Sequence, residues 1–465
     1  MGKKNSIFEN IPIESIGAEG KAIAHVEGKI IFLRNVVPGD IVDVRIKKDK
    51  KAYFEGEAVK IKSLSPLRIN PLCKYFGLCG GCAWQILDYQ QQLKYKEKQV
   101  VDQFERIGKI EVKEIFPIIP SPKTIEYRNK IEYSFSDNCW ISKEEIESRK
   151  KIDRRGSGFH IREYFNRIVN IDKCYLQPEP SNTLRNAIKD FAIKNNYTFY
   201  NPINHKGFLR SLIVRTSLSN EVMIILIFGE QDDNRITELL SYIKNYFPQI
   251  SSIYYAINTK FNDSLNDITF YHYYGEKYIK EKIENITFYI GPKSFFQTNT
   301  LQTINLYNKI KEFLKPNRSE IIYDLYCGTG TIGLFLAKSV KKVVGIEIIP
   351  EAIEDANLNA KINNITNAKF YQGDVVDILT YDFTKNNEPP DIIIVDPPRS
   401  GLHKKLINSI IKILPEKIIY VSCNPATQAR DINMLKNYYD LKFIQPFDMF
   451  PHTHHVENLV LLSKK

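Results

Sequence analysis

The sequence predicts an α/β protein: a C-terminal, Rossmann-like doubly wound sheet preceded by a small β-barrel and a mixed α+β middle region. Three observations carry this. From residue 289 onward, strands rich in Ile and Val alternate with helical stretches, the pattern of a parallel sheet covered on both faces. A glycine-rich turn, residues 324–333, lies between one such strand and the helix that follows it. The first 62 residues read as short alternating strands broken by Gly and Pro turns, the pattern of a small closed barrel.

Taken in order, the barrel strands are 11–16, 22–26, 29–33 and 41–46, with a corner at 17–20, a hairpin turn at Glu27-Gly28 and a break at Pro38-Gly39-Asp40. The loop 47–51, followed by Tyr53 and Phe54, sets lysines beside aromatic faces, a pairing suited to RNA backbone and bases. A Pro- and Cys-containing segment, 65–82, ends the barrel, and 87–107 carries apolar residues at helical spacing. The middle region mixes strands 130–136, 209–217 and 222–228 with helices 181–194 and 234–247. The regular alternation then runs helix 300–314, strand 321–326, helix 331–338, strand 342–347, helix 350–363 and strand 368–372. It continues with strand 391–395, helix 404–414 and strand 417–422. Three units follow from this: 1–62, 63–285 and 286–465.

With 43% apolar residues and 26% charged ones, the chain is too apolar for a disordered protein and too polar for a membrane bundle. Its 465 residues suit several domains. A net charge of +11 favours a polyanionic partner, because Lys and Arg release counterions from phosphates. No export or anchoring segment is evident, and seven cysteines without a signal peptide suit a reducing compartment, so a cytoplasmic location is expected.

In Asp324-Leu-Tyr-Cys-Gly-Thr-Gly-Thr-Ile-Gly333, glycines let the backbone pass close to a ligand, and Glu347 at the end of the next strand suits a ribose. A dinucleotide and S-adenosylmethionine both fit that pattern, and the acidic Asp324 favours the cationic S-adenosylmethionine. The strand ending at Val395 runs into Asp396-Pro-Pro-Arg399, where two prolines hold Asp396 stiffly at the ligand edge of the sheet. One strand later comes Ser422-Cys423-Asn424-Pro425, whose cysteine is either buried filler or a nucleophile; its place beside Asp396 favours the nucleophile.

These two segments, with Ser294-Phe-Phe-Gln297-Thr-Asn299 and Phe450-Pro-His-Thr-His-His-Val-Glu457, make the chain resemble the bacterial RNA uracil-5-methyltransferase family. Within it, the chain is most similar to the 23S ribosomal RNA branch, over nearly its whole length. The resemblance implies an OB-like TRAM barrel at the N-terminus and a class I methyltransferase fold at the C-terminus. It implies Cys423 as the nucleophile that adds to uracil C6 and Glu457 as the base that removes the C5 proton. It places S-adenosylmethionine against Gln297, Tyr326, Thr331, Glu347, Asp374 and Asp396, with Thr331 standing where the branch often has Asn. The substrate it implies is a uridine flipped out of a folded ribosomal RNA loop. No membrane and no obligate protein partner are expected.

Cys73, Cys79 and Cys82, separated by glycines, leave room for backbone to wrap a metal centre, with Cys174 as fourth ligand and Cys139 as its rival. Spacing alone fits zinc and iron–sulfur equally; the resemblance implies a [4Fe-4S] cluster on Cys73, Cys79, Cys82 and Cys174. His452, His454 and His455 lack a carboxylate to complete a zinc motif, and His454 replaces a small residue of the family pattern. Two other readings stay open: the same reaction on transfer RNA, whose enzymes are expected to match only from the middle region onward, and a noncatalytic RNA-binding iron–sulfur protein. The latter needs neither Cys423 nor Glu457.

Overall fold

The computed structural model describes residues 4–112, 115–148, 152–162 and 164–465. The N-terminal strands are β1 (Ile7–Pro12), β2 (Ser15–Ile16), β3 (Ala22–Val26), β4 (Lys29–Leu33), β5 (Ile41–Asp49) and β6 (Tyr53–Ser63). They form one sheet in the order β1-β5-β6-β4-β3-β2 around Ala24, Ile31, Val42, Val44 and Ile46, all wholly buried. The 47–51 loop expected from the sequence is mostly strand, and part of its charge is paired with carboxylates on the barrel surface. Lys47 pairs with Glu57, Lys48 with Glu55 and Lys29 with Asp49. β6 escaped notice because its outer half is solvated and charged, with no apolar alternation to mark it.

Helix α1 (Tyr89–Arg106) is capped by the Asp88 side chain, which accepts from Gln90 and Gln91 N–H. The middle region contains β7 (Lys130–Ser136), α2 (Lys143–Glu147), β8 (Gly156–Ile161), β9 (Tyr164–Asn170), α3 (Ser181–Lys194), β10 (Leu209–Thr216) and β11 (Val222–Phe228). It closes with α4 (Asp233–Tyr246), β12 (Ser252–Ile257) and β13 (Phe270–Gly275). Its seven strands run β13-β12-β11-β10-β7-β8-β9. β10 and β11 are buried along their full length because both faces are covered. Leu212, Val214, Ile224 and Leu226 meet α3 and α4, whereas Ile213, Met223, Ile225 and Ile227 share a core with the C-terminal layer.

A hairpin, β14 (Ile279–Ile283) and β15 (Ile286–Ile290), precedes α5 (Thr300–Leu314), β16 (Ile321–Leu325), α6 (Thr331–Leu336), β17 (Lys342–Glu347) and α7 (Pro350–Ile362). Then come β18 (Ala368–Gln372), α8 (Val375–Ile378), α9 (Tyr381–Asn387), β19 (Ile392–Val395), α10 (Lys404–Ile413), β20 (Lys417–Ser422), α11 (Pro425–Leu435), β21 (Tyr439–Phe447) and β22 (Glu457–Lys464). The sheet order is β18-β17-β16-β19-β20-β22-β21. The first five strands are parallel, as expected from the alternation that runs to residue 422; β22 and β21, beyond it, are antiparallel to their neighbours. Leu93, Val100 and Phe104 of α1 belong to this layer's core, as do the apolar residues of β14 and β15. The line between 285 and 286 therefore passes through a hairpin turn whose two strands pack on the same layer. No helix among the described residues is long and apolar enough to cross a membrane.

Candidate active site

The carboxyl edge of the C-terminal sheet gathers the residues singled out in the sequence. Tyr326, Glu347 and Asp396 stand at the ends of β16, β17 and β19, neighbouring parallel strands in register. Gly328 and Gly330 adopt φ of 53° and 75°, and Tyr326 shares that left-handed region at 62°, so the turn folds back tightly after β16. The Glu347 carboxylate accepts from Gly328 N–H at 3.1 Å and from Ile348 and Ile349 N–H at 2.8 and 3.0 Å. Asp374 caps α8, accepting from Val376 N–H at 2.8 Å, and lines a cavity of about 620 Å³ with Tyr326, Ile348 and Pro398. Thr331 Oγ1 accepts from the buried Tyr307 hydroxyl at 2.7 Å.

Asp324 accepts from Gly333 N–H at 2.9 Å through one oxygen, while its other oxygen is buried without a partner. Burial lifts its carboxyl to about 7, and Asp396 and Glu347 push in the same direction. Desolvation likewise lifts Asp396 to about 7, opposed by a 3.4 Å hydrogen bond from Gln297 Nε2. Converging carboxylates with one orphaned oxygen fit a cationic ligand, as the sulfonium and ammonium groups of S-adenosylmethionine require.

Cys423 and Glu457 meet because of the antiparallel strand. Ser422 of β20 pairs with Asn458 of β22, so the next residue along each chain toward the carboxyl edge is Cys423 on one side and Glu457 on the other. Glu457 is 3% exposed, with one carboxylate oxygen unpartnered. Burial and the neighbouring Asp396 raise its proton affinity well above that of an ordinary glutamate; Arg399 opposes them. Burial and the Glu457 charge also raise the Cys423 thiol, while Arg399 lowers it by charge and by a hydrogen bond. Arg399 is the residue that the sequence reading passed over, although it stands in the quoted Asp-Pro-Pro-Arg run. Its carbonyl accepts from Asn424 Nδ2 and Thr427 Oγ1 at 2.9 and 3.2 Å, tying that loop to the turn after Cys423.

His454 and His455 lie with ring centroids 4.1 Å apart. Burial, helped by nearby cations, pushes them to about 4 and about 3, so both are neutral near pH 7. Among the described residues no group of three or more His, Cys, Asp or Glu is arranged to hold a metal ion. Cys73, Cys79, Cys82 and Cys174 nevertheless line one cavity of about 380 Å³. Burial pushes the Cys79 and Cys82 thiols up to about 11 and about 12, with the neighbouring thiols adding to it. Cys139 lies elsewhere, its sulfur against Gly156, and is not among that cavity's walls.

The profile of the tRNA (Uracil-5-)-methyltransferase family matches residues 184–465, and that of the TRAM domain matches residues 9–59. The chain belongs to the RNA uracil-5-methyltransferase family. It is an S-adenosylmethionine-dependent methyltransferase of uracil C5 in RNA, with a class I methyltransferase fold behind an N-terminal TRAM domain. An uncharacterized RNA methyltransferase of Bacteroides thetaiotaomicron is 49% identical, over 96% of this chain and 100% of its own length. One from Porphyromonas gingivalis is 42% identical, over 97% and 99%. The crystal structure of the Pyrococcus abyssi tRNA (uracil-54, C5)-methyltransferase with S-adenosyl-L-homocysteine matches 98% of this chain and 100% of its own, at a TM-score of 0.76 and 32% identity. That match corrects the expectation that enzymes acting on transfer RNA lack the barrel: its presence does not separate the two substrates.

Proposed function

We propose that this methyltransferase forms 5-methyluridine in 23S ribosomal RNA through a covalent bond between Cys423 and uracil C6. The observation that carries the mechanism is the meeting of Cys423 and Glu457 across one step of the β20–β22 ladder, beside Asp396 and Arg399. Uracil C5 is a poor nucleophile until a thiolate adds to C6 and pushes electron density onto it. Arg399 favours the Cys423 thiolate. Gln297, Tyr326, Thr331, Glu347, Asp374 and Asp396 would hold S-adenosylmethionine, which would supply the electrophilic methyl to C5 and leave as S-adenosylhomocysteine when the sulfur–methyl bond breaks. Glu457 then accepts the C5 proton, the C5–C6 double bond re-forms, and the C6–S bond breaks to release the Cys423 thiolate. A carboxylate with heightened proton affinity suits that step, and water is excluded from it by burial.

The cavity shared by Cys73, Cys79, Cys82 and Cys174 supports a [4Fe-4S] cluster, since a cubane keeps its four thiolates farther apart than a single ion does. Its proposed part is structural, because nothing in the reaction transfers an electron.

The four-cysteine set and the resemblance to the ribosomal branch favour 23S RNA. A second reading, a uridine of transfer RNA, is favoured by the full-length likeness to the Pyrococcus abyssi enzyme. Nucleoside mass spectrometry of both RNA classes, from a strain lacking the protein and from its parent, separates them. Loss of 5-methyluridine from 23S RNA alone is the expected result; loss from transfer RNA alone replaces the substrate, and no loss in either favours a noncatalytic binder.

A further inference from the structure

Glu457 is reached through the segment 448–456, which joins β21 to β22 and has no regular structure of its own to hold it. Phe447 and Glu457 are register partners, so everything between them forms the end of a hairpin. Asn299 Nδ2 and the Tyr127 hydroxyl donate to the Met449 and Pro451 carbonyls, and the buried charge that holds that end comes from α1, far away in sequence. Lys96, wholly buried, donates from Nζ to Asp448 Oδ1 at 2.5 Å and to the Phe450 carbonyl at 3.0 Å. Asp448 is wholly buried too, and its other oxygen has no partner. One helical turn earlier, Gln92 accepts from His452 N–H at 2.9 Å and donates to the Trp84 and Leu87 carbonyls at 3.1 and 2.9 Å. His452 carries φ of 64°, unfavourable for a residue with a Cβ and kept only where its surroundings enforce it.

A buried ion pair is a poor way to add stability, because desolvating both charges consumes most of their attraction, and an apolar pair of the same volume serves as well. Its strength lies in fixing one geometry. α1 also packs on α11, the helix that begins two residues after Cys423, with Gly108 just beyond α1 set against Ala429. One helix therefore braces the turn that carries the thiol through α11 and the segment that leads to the carboxylate through Lys96.

We propose that Lys96, acting through Asp448 and the Phe450 carbonyl, is a positioning residue for Glu457 and sets where the carboxylate meets the C5 proton. This rests on the uracil-C5 reading above. Lys96, wholly buried, is out of reach of both RNA and S-adenosylmethionine, and its effect falls on one step. With Glu457 displaced, Cys423 still adds to C6 and C5 still takes the methyl, but the C5 proton stays and the C6–S bond persists.

The test uses the full chain with substrate RNA, comparing Lys96→Met with Glu457→Gln. Expected for Lys96→Met is a fall in turnover of about 100-fold, the scale of a lost general base, with KM for RNA within about threefold and an RNA–protein adduct accumulating on denaturing gels as with Glu457→Gln. Since Lys96→Met leaves Asp448 buried and unpaired, the double variant Lys96→Met/Asp448→Leu serves as the folding control. It is expected to regain the melting temperature while turnover stays low and the adduct persists. Turnover that recovers with the melting temperature, or falls without adduct, overturns the proposal. A wild-type protein that forms neither 5-methyluridine nor adduct overturns the reaction itself and the positioning role with it.

Discussion

Two groups of cysteine in one chain have opposite surroundings. In the four-cysteine cavity, burial is the main influence on Cys79, Cys82 and Cys174 and the neighbouring thiols add to it, so that Cys79 and Cys82 are pushed up to about 11 and about 12. Cys423 is also raised by burial, but its neighbours are the Glu457 carboxylate and the Arg399 guanidinium, which lowers it by charge and by a direct hydrogen bond, where the cavity thiols have one another and only the charge of more distant arginines. The contrast suits the two proposed roles, ligand for the cavity thiols and nucleophile for Cys423. A thiol that is to hold a metal can keep its proton until the metal displaces it, whereas one that must attack in every turnover needs a standing source of thiolate.

The comparison breaks most sharply at Cys423 itself. Cys423→Ala is expected to lower turnover at least about a thousandfold while RNA affinity stays within about threefold, since a nucleophile has no substitute. Methyl transfer from labelled S-adenosylmethionine and filter binding check the two halves; retained turnover would return the thiol to the core.

Arg399→Met removes the influence that sets the two environments apart. With the guanidinium gone, the thiol pKa rises further, the thiolate fraction at neutral pH falls, and turnover falls about tenfold for each unit of rise. Because the ionised form is the active one, raising the pH restores the rate, and the ascending limb of the pH–rate profile moves to higher pH. A profile that drops without moving would assign Arg399 to RNA binding instead.

Cys79→Ser tests the other side. Iron bound after anaerobic purification is expected to disappear in this variant and to remain in Cys423→Ala, with the melting temperature of Cys79→Ser lowered by several degrees through loss of the cross-link. Iron content unchanged by Cys79→Ser would take Cys79 out of the ligand set, and a wild-type protein without iron would remove the cluster.

The smallest effect is expected from the barrel. Lys51→Ala is expected to change the slope of log affinity against log salt by less than about one unit, because it removes a single charge and Lys47 and Lys48 are already paired with barrel carboxylates. A larger change would restore the loop as the main RNA grip.

Much of the sheet was legible because its strands are short Ile and Val runs punctuated by Gly and Pro; the boundaries of β17, β18 and β20 coincide with the expected ones. The carboxylates Glu347 and Asp396 were legible for the same reason, each being the first polar side chain after such a run or its last residue. The strands at or next to the edges of the middle sheet, β13, β9 and β8, were not, because aromatic, basic and glycine residues break their alternation. The antiparallel β22 was hidden differently. Its apolar run follows a histidine-rich segment with no crossover helix to announce a strand, and only the fold reveals that it lies between β20 and β21. Arg399 was readable as a residue but not as a neighbour of Cys423, since proximity between two loops on different strands has no signature along the chain.

The docking of α1 on the C-terminal layer has a consequence for folding. Lys96 and Asp448 are 352 residues apart, and the whole middle sheet is threaded between them. Closing so long a loop is entropically unrewarded until both ends have surfaces to offer each other, so contacts of this kind form late. The middle sheet thus behaves as an insertion within a discontinuous catalytic unit. Catalytic competence is then expected among the last properties the chain acquires on refolding, after both sheets are already in place.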